Sequence, residues 1–518
     1  MSQQKLTNNE NTNKTKRIAS NTLVLFFRML VITIVNLYTV RWVLSGLGTV
    51  DYGIFNAIGG VVTTSTCLTS VLAISTQRFH SFAIGKGDQD KLKDIFSVSI
   101  NLTLILTLVI MILFETGGLW FVNSEMTIPS DRMVAANWIF QLALLSFVFS
   151  IIQIPFMGTV FAREHMGVYT LISTFDSLAK LVIAFLIKSA PIDNLVFYGI
   201  AMAVEACLVM ICYIVIARTR YAECHYVKVK DPQLYKSLIS FSGWTFYGSL
   251  AGVGMIQGSI ILLNTFFGPA INAAFAISNQ VYNALNTLCN SIVLAFRPAM
   301  IKAYSSNNRT YLDQLFSASN KALAYLLTAI AIPFVYEARA ILNIWLGSKQ
   351  TTDEMILFSQ LFIIYTVVLA LQNPITIIIQ AIGKIKYYFL IVESFTIASV
   401  PLTWIFFKMG MPSYWIFISL IGTCSFAHIV RLIILKQQYP AFSLRRYLIT
   451  FVIPVACIVI INSLFSEWLT YNINNQLIQF ITVLIASLVI TIILAYIIGI
   501  NRNERKQMNV FIRQTLFR

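Results

Sequence analysis

Long apolar runs separated by short polar segments cover most of the chain, from about residue 18 to residue 499. A helix of ~20 apolar residues crosses the ~30 Å hydrocarbon layer of a bilayer. The predicted spans are 18–44, 53–77, 95–122, 134–158, 167–188, 195–217, 238–263, 271–296, 320–346, 355–381, 387–407, 413–435, 448–466 and 477–499. The pattern therefore predicts an all-α membrane protein with about 14 transmembrane helices.

Composition agrees with a surface that faces lipid. Hydrophobic residues make up 57% of the chain and charged residues only 11%, whereas ~25% are charged in a soluble domain. The net charge of +16 comes from basic residues in short loops, which are orientation signals rather than a nucleic-acid-binding face. With the N-terminus inside, 29 Lys and Arg residues lie in inside segments and six in outside ones. Both termini are therefore predicted to be cytoplasmic.

The loops offer little room for catalysis. Outside loops are short, and the chain has no G-x-x-x-x-G-K-[ST] motif for ATP hydrolysis. The seven cysteines have no metal-ligand spacing. We therefore expect a non-enzyme with no metal or cofactor, and we leave the existence of a coupling ion or proton open.

The sequence repeats weakly at an offset of 220 residues. Leu92–Ser99 aligns with Leu312–Ser319, and Gly48 aligns with Gly268. Six spans per copy is an even number, so the two copies are predicted to be related by a pseudo-two-fold axis along the membrane normal. The predicted organisation is a disordered cytoplasmic tail (1–17), an N-lobe with helices 1–6 (18–217), a cytoplasmic linker (218–237), a C-lobe with helices 7–12 (238–435), helices 13–14 (448–499) and a cytoplasmic tail (500–518).

Charged residues inside predicted spans are candidate functional groups, because a charge in the bilayer costs several kcal/mol. Arg28 has no acidic residue at i±3 or i±4, which indicates a polar cleft, a bound anion or an acid on another helix. Asp176 and Lys180 have i, i+4 spacing and can pair on one helix face. Glu205 and Glu393 have no basic residue close in sequence and are candidates for ion or proton coupling, or for pairing between helices.

Uncharged polar residues also recur inside the spans. Asn279, Asn283 and Asn286 share one face of the eighth span, and Asn36 lies in the first. Such amides can bind sugar hydroxyls in a cleft or form hydrogen bonds between helices. The seventh span is rich in glycine, and two pairs have the small-xxx-small spacing of close helix packing: Gly248/Gly252 and Gly254/Gly258. The same glycines are candidate hinge positions.

Four short motifs resemble a known family: Asn21–Arg28, Leu47–Asn56, Thr76–Phe79 and Gly85–Asp88. They are similar to Wzx-type lipopolysaccharide and capsule biosynthesis proteins of the multidrug/oligosaccharidyl-lipid/polysaccharide exporter superfamily. The resemblance implies two six-helix lobes plus two C-terminal helices in the bacterial inner membrane. It further implies flipping of an undecaprenyl-pyrophosphate-linked oligosaccharide repeat unit to the outer leaflet by alternating access, with a polysaccharide polymerase or glycosyltransferases as possible partners.

In such flippases, cations in a central cleft are thought to receive the pyrophosphate or acidic sugars. Arg28 matches that role by position, and Arg78 and Arg297, at cytoplasmic helix ends, are candidates to complete the anion site. Three alternatives stay open: a multidrug or cation antiporter of the same superfamily, a membrane-embedded polysaccharide polymerase or ligase, and a scaffold for capsule assembly. The product, whether O-antigen, capsule or exopolysaccharide, also stays open.

Overall fold

The computed structural model describes residues 21–505, with several short gaps. The gaps are 22, 23, 26, 30, 33, 37, 40, 44, 49, 50, 53, 56, 57, 59–65, 125, 127, 349, 350, 474 and 501–503, and the side chains of 66–68, 269, 476 and 477 are also not described. The predicted tail 1–17 and most of the predicted tail 500–518 lie outside the described residues.

The described residues form fourteen long helices and no β-strand. They are α1 (Phe27–Gly48), α2 (Thr66–Lys86), α3 (Gln89–Ser124), α4 (Ser130–Ala162), α5 (Met166–Ser189), α6 (Asn194–Arg220), α7 (Pro232–Phe267), α8 (Ala270–Ser305), α9 (Arg309–Leu346), α10 (Asp353–Ile382), α11 (Lys386–Lys408), α12 (Trp415–Gln438), α13 (Leu444–Asn472) and α14 (Ile478–Gly499).

The predicted all-α membrane class is confirmed. Thirteen of these helices are long and apolar enough to span a bilayer, counting described residues only. The remaining helix is α2, which overlaps the predicted span 53–77 at a place where many residues are not described. Each of the fourteen predicted spans thus has a helix that corresponds to it.

Helix boundaries repeat at the offset found in the sequence. The pair α3 and α9 begin at Gln89 and Arg309, 220 residues apart, and the pair α5 and α11 begin at Met166 and Lys386, also 220 apart. The offset therefore reflects two copies of one local architecture.

Backbone conformations at the helix ends follow the same offset. Gly48 and Gly268, which end α1 and α7, have φ of +78° and +82°. Gly87 and Asn307, which follow α2 and α8, have φ of +74° and +55°. Glycine adopts this left-handed region without a steric cost, and asparagine tolerates it better than most residues. These residues end corresponding helices in the same way.

The chain forms two compact units. The N unit contains the described residues of Ala19–Ser249 together with Ile301–Asn307. The C unit contains Leu250–Met300 and the described residues of Asn308–Arg518. Helix α7 passes from one unit to the other between Ser249 and Leu250, and α8 does so after Met300, two residues beyond Pro298 in the same helix.

A cluster of large aromatic side chains forms much of the C-unit core. Phe275 of α8, Phe362 of α10 and Phe417 of α12 are all fully buried. Their ring centroids are 5.1 Å apart for Phe275–Phe362 and 4.9 Å for Phe362–Phe417. Each such pair contributes ~1 kcal/mol beyond the burial of its apolar area. These contacts fix the rotation of α8, and with it the direction of the polar side chains described below.

An ion cluster on the predicted outer side joins three segments of the N unit: the one before α2, the first turn of α4 and the loop before α6. Arg132 pairs with Asp51 and, at 2.6 Å, with Asp193. Asp193 also caps α6 by accepting a hydrogen bond from the Leu195 backbone N–H at 3.0 Å. The hydrogen bond from Arg132 holds the pKa of the Asp193 carboxyl below its usual value. Asp51, which belongs to the Leu47–Asn56 motif, is therefore linked through Arg132 to the loop that precedes α6.

Candidate functional site

Four side chains on one face of α5 form the centre of the site. Tyr169, Ser173, Asp176 and Lys180 have the spacing i, i+4, i+7 and i+11, which places them along one helical stripe. We call this set the α5 ladder. Tyr169 and Ser173 contact Arg28 of α1, and Asp176 lies close to Glu205 of α6, as described next.

Arg28 is half-buried and lies on the α5 ladder. Its Nε donates a hydrogen bond to Ser173 Oγ at 2.7 Å, and its Cζ lies 4.3 Å from the centroid of the Tyr169 ring. Among the described residues it forms no ion pair. The guanidinium has five N–H donors in total, and only the Nε donor has a partner among the described residues. Arg28 is thus held in one orientation with donors still available.

The acidic part of the ladder includes a residue from α6. Lys180 Nζ lies 2.6 Å from Asp176 Oδ1, so the expected i, i+4 pair forms. Glu205, only 4% exposed, lies on α6 close to the Asp176 carboxyl and to Lys180. Arg28, Asp176, Lys180 and Glu205 are therefore brought together within the N unit.

Glu393 forms an ion pair with a residue of the next helix. In the C unit it lies 3.1 Å from Arg431 of α12, and Arg431 Nε also donates to the Tyr388 hydroxyl at 2.9 Å. The side chains of Arg431 and Glu393 are 6% and 13% exposed. The sequence left open both coupling and pairing between helices, and it did not indicate the partner because Arg431 lies 38 residues away on the next helix. Glu393 takes the other role considered, that of a partner between helices.

A second polar surface lies on α8 in the C unit. Its exposed members have the helical spacing i, i+3, i+7 and i+10, and they are Gln280, Asn283, Thr287 and Asn290. We call this set the α8 stripe. Two further amide side chains lie beside the α8 stripe and are half-buried: Asn279 and Asn286. Exposed amides in the middle of a membrane-length helix are costly against lipid, so this surface requires water or a polar ligand.

Arg78 and Arg297 lie in different surroundings from each other. Arg78, in the N unit, is 9% exposed, and its Cζ lies 4.5 Å from the Phe79 ring centroid and 5.2 Å from that of Phe241. Arg297, in the C unit, is partly exposed, and its buried Nε has no hydrogen-bond partner among the described residues. The rings around Arg78 leave little of its guanidinium free for a ligand. Asn36 is exposed on α1. Ligand binding by these three residues stays a prediction.

The glycines of α7 divide into two groups. A Cβ added at Gly258 would lie 2.9 Å from Val400 of α11, and one at Gly254 would lie 3.5 Å from Ile397. These two glycines therefore allow α7 and α11 to approach closely. A Cβ at Gly252 would have no neighbour within 4 Å. Gly248 and Gly252 flank the point where α7 passes from the N unit to the C unit, and they stay the candidate hinge.

Sequence reasoning missed the partners of Arg28. Tyr169 and Ser173 precede Asp176 and Lys180 on the same helical face, so extending that periodicity by two turns would have found them. The sequence contains no comparable signal for the contact of Glu205 with Asp176, because that contact depends on how α5 and α6 are rotated against each other.

The architecture defines a fold class: two similar sets of six helices followed by two more. No protein-family model matches the sequence, and no curated protein is significantly similar to it. Solved structures do match. An outward-facing multidrug resistance MATE family transporter of the MOP superfamily aligns with a TM-score of 0.73 and 16% identity, over 83% of this chain and 96% of that one. A MATE transporter in complex with MaL6 aligns with a TM-score of 0.70 and 17% identity, over 83% and 97%.

A third structure widens the range of functions within this fold. It is a MOP superfamily transporter from Pyrococcus furiosus Vc1, for which reverse polarity of the binding pocket suggests a different function. It aligns with a TM-score of 0.68 and 16% identity, over 83% of this chain and 96% of that one. The chain therefore has the fold of these transporters, and sequence identities at this level show the fold alone.

Proposed function

We propose that the protein is a transporter that flips an undecaprenyl-pyrophosphate-linked oligosaccharide repeat unit from the inner to the outer leaflet of a bacterial inner membrane. The glycan would serve O-antigen, capsule or exopolysaccharide assembly. The observation that carries the proposal is the α8 stripe, whose amides and hydroxyl are exposed on a membrane-length helix. These groups donate and accept hydrogen bonds, as sugar hydroxyls do.

Arg28 is the proposed ligand of the diphosphate. Its contacts with Ser173 and Tyr169 fix the guanidinium, while its Nη donors have no partner among the described residues. Arginine binds phosphate oxygens through two parallel N–H donors, and a fixed guanidinium loses little side-chain entropy on binding. A lipid-linked sugar keeps its tail in the bilayer, so only the diphosphate and the glycan need polar partners.

Glu205 and Asp176 are the proposed coupling site. Two carboxyl groups close together in a poorly solvating interior favour a proton on one of them. Transport would release that proton, and Lys180 would stabilise the charge that remains. Glu393 is not part of this proposal, because Arg431 neutralises it.

The test is a flipping assay in proteoliposomes that contain an undecaprenyl-pyrophosphate oligosaccharide, read as its accessibility to an added lectin or glycosidase. We expect wild type to move the lipid and Arg28→Gln to slow it about tenfold, because one charge-assisted contact contributes ~1.4 kcal/mol or more. Arg41→Gln is the matched control, since Arg41 is an exposed arginine on the same helix. No movement by folded wild type with several lipid-linked glycans would refute the flippase.

A multidrug cation antiporter is the second candidate, favoured by the Asp176–Glu205 carboxyl pair and by the fold shared with a multidrug resistance transporter. This candidate predicts proton-driven export of a cationic dye such as ethidium, lost in Glu205→Gln. Dye export without glycan flipping would favour the antiporter. Flipping without dye export would favour the first proposal.

A further inference from the structure

A pocket of about 370 Å³ lies in the C unit, on the side that the charge distribution assigns to the cytoplasm. Its wall includes the first turns of both α9 and α13. Four aromatic side chains form its apolar part: Phe316, Phe442, Tyr447 and Phe451. Ring centroids are 5.9 Å apart for Phe316–Phe442 and 6.0 Å for Phe316–Tyr447. Its volume is within the range of pockets that hold small ligands, about 300–1,000 Å³.

The charged residues of this pocket leave basic groups without partners. Glu504 is already engaged, with Lys321 at 2.6 Å and with Ser317 at 3.4 Å. By contrast, the guanidinium groups of Arg309 and Arg446 form no hydrogen bond or ion pair with any described residue, and Asp313 is the remaining acid beside Arg446. Because Lys321 neutralises Glu504, the two arginines face one remaining acid, so the pocket offers unused N–H donors and one positive charge that no lining acid cancels.

The position of the pocket along α13 places it at a membrane surface. Ser443, Arg446 and Thr450 line the pocket with helical spacing. On the opposite face of the same turns, Leu448 and Ile449 are 42% and 53% exposed, as expected for side chains that contact lipid. The pocket thus opens beside an apolar surface, at the level where a positively charged helix end meets phospholipid headgroups.

We propose that this pocket binds the headgroup of an anionic phospholipid of the inner leaflet. Arg309 and Arg446 donate to the phosphodiester, and the aromatic wall accepts the glycerol backbone and the first carbons of the acyl chains. Asn320, which lines the pocket and is 1% exposed, has an Oδ1 without a partner among the described residues. That oxygen accepts a headgroup hydroxyl, which favours phosphatidylglycerol over lipids with a quaternary ammonium group.

The experiment measures lipid retained by the full-length protein after delipidation and exchange into detergent with phosphatidylglycerol or phosphatidylcholine, read by native mass spectrometry. We expect phosphatidylglycerol adducts on wild type and about a fivefold loss in Arg446→Gln and in Arg309→Gln, because one basic residue contributes ~1 kcal/mol to anionic lipid binding. Arg445→Gln is the matched control: its arginine is adjacent, equally basic and exposed, and does not line the pocket.

The controls separate a headgroup site from loss of fold, from binding of a free anion and from general attraction to surface charge. Thermal unfolding of each variant identifies a loss of fold, and the conclusion then rests on whichever arginine variant stays folded. Displacement of the adduct by inorganic phosphate at millimolar concentration would reassign the pocket to a free anion and overturn the lipid proposal. Equal loss in Arg445→Gln and Arg446→Gln, or no preference for phosphatidylglycerol over phosphatidylcholine, would also overturn it, because either result indicates attraction to surface charge in general.

Discussion

The substitution Glu393→Gln tests the buried ion pair of the C unit. It keeps the shape of the side chain and removes the charge that faces Arg431, which lies 3.1 Å away. Tyr388, fully buried, would remain as the hydrogen-bond acceptor of Arg431 Nε at 2.9 Å. The variant would therefore contain a buried guanidinium whose acceptors, the Tyr388 hydroxyl and the new amide oxygen, are both neutral.

Removing one member of a buried ion pair costs ~3–5 kcal/mol, because the other charge is left uncompensated in a poorly solvating interior. We expect a loss near ~3 kcal/mol, the lower end of that range, since the Tyr388 hydroxyl and the new amide oxygen both still accept from Arg431. The double variant Glu393→Gln, Arg431→Leu should recover most of this loss, because an apolar replacement of a buried pair is often nearly neutral.

The assay is thermal and denaturant unfolding of purified protein in one detergent, alongside flipping in proteoliposomes. The control is Glu354→Gln, which removes an exposed carboxyl at the start of α10 and should change the free energy of unfolding by ~0.5 kcal/mol or less. The ion-pair reasoning would be refuted by a Glu393→Gln protein with wild-type stability. If that stable protein had also lost ion-coupled transport, Glu393 would be a coupling carboxyl after all.

Two further predictions concern the glycines of α7 and the outer ion cluster. Gly252→Ala should leave the fold intact or raise the free energy of unfolding by up to ~1 kcal/mol, and it should slow transport if α7 bends there. Gly258→Ala should instead lower the free energy of unfolding by ~1–3 kcal/mol through overpacking. Unfolding and flipping measurements distinguish the two variants, and unchanged flipping in Gly252→Ala would argue against the hinge. Arg132→Gln should lower the melting temperature and weaken its acid dependence: the lowered pKa of Asp193 contributes stability above about pH 4 that is lost as the pH falls through the folded-state pKa. A melting temperature with the same acid dependence in wild type and Arg132→Gln would contradict this role of Arg132.

The helices could be predicted from the sequence because each depends on a local property, the length of an apolar run. The 220-residue repeat was visible for a related reason: residues at helix ends, such as Gly48 and Gly268, have the same backbone requirement in both copies. Side-chain partners are a different kind of information. Glu393 and Arg431 are each unremarkable in their own helix, and their pairing depends on how α11 and α12 are rotated against each other.

The candidate site was predictable to the extent that it follows a single helix. The i, i+4 spacing of Asp176 and Lys180 predicted their ion pair, and the α8 amides were recognisable as a polar face. Exposure along α8 could not be predicted, because Asn279 and Asn283 lie within about one turn of each other and only contacts with neighbouring helices decide that the first is half-buried and the second exposed. Amphipathic spacing identifies the face, whereas tertiary contacts select its accessible residues.

The two copies of the repeat differ at one equivalent position of α5 and α11. Ser173 and Glu393 occupy equivalent positions, 220 residues apart, and each accepts a hydrogen bond from an arginine. In the C unit that arginine is Arg431, and the carboxylate opposite neutralises it. In the N unit the acceptor is a neutral hydroxyl, so Arg28 has no counter-charge among the described residues, while Glu205 lies close to the Asp176 carboxyl. A group inside the membrane contributes to transport when it changes its charge or binds a charged ligand, and Glu205 and Arg28 are the proposed groups of these two kinds. The proposed function therefore assigns coupling and diphosphate binding to the N unit, while the Glu393–Arg431 pair stabilises the fold of the C unit.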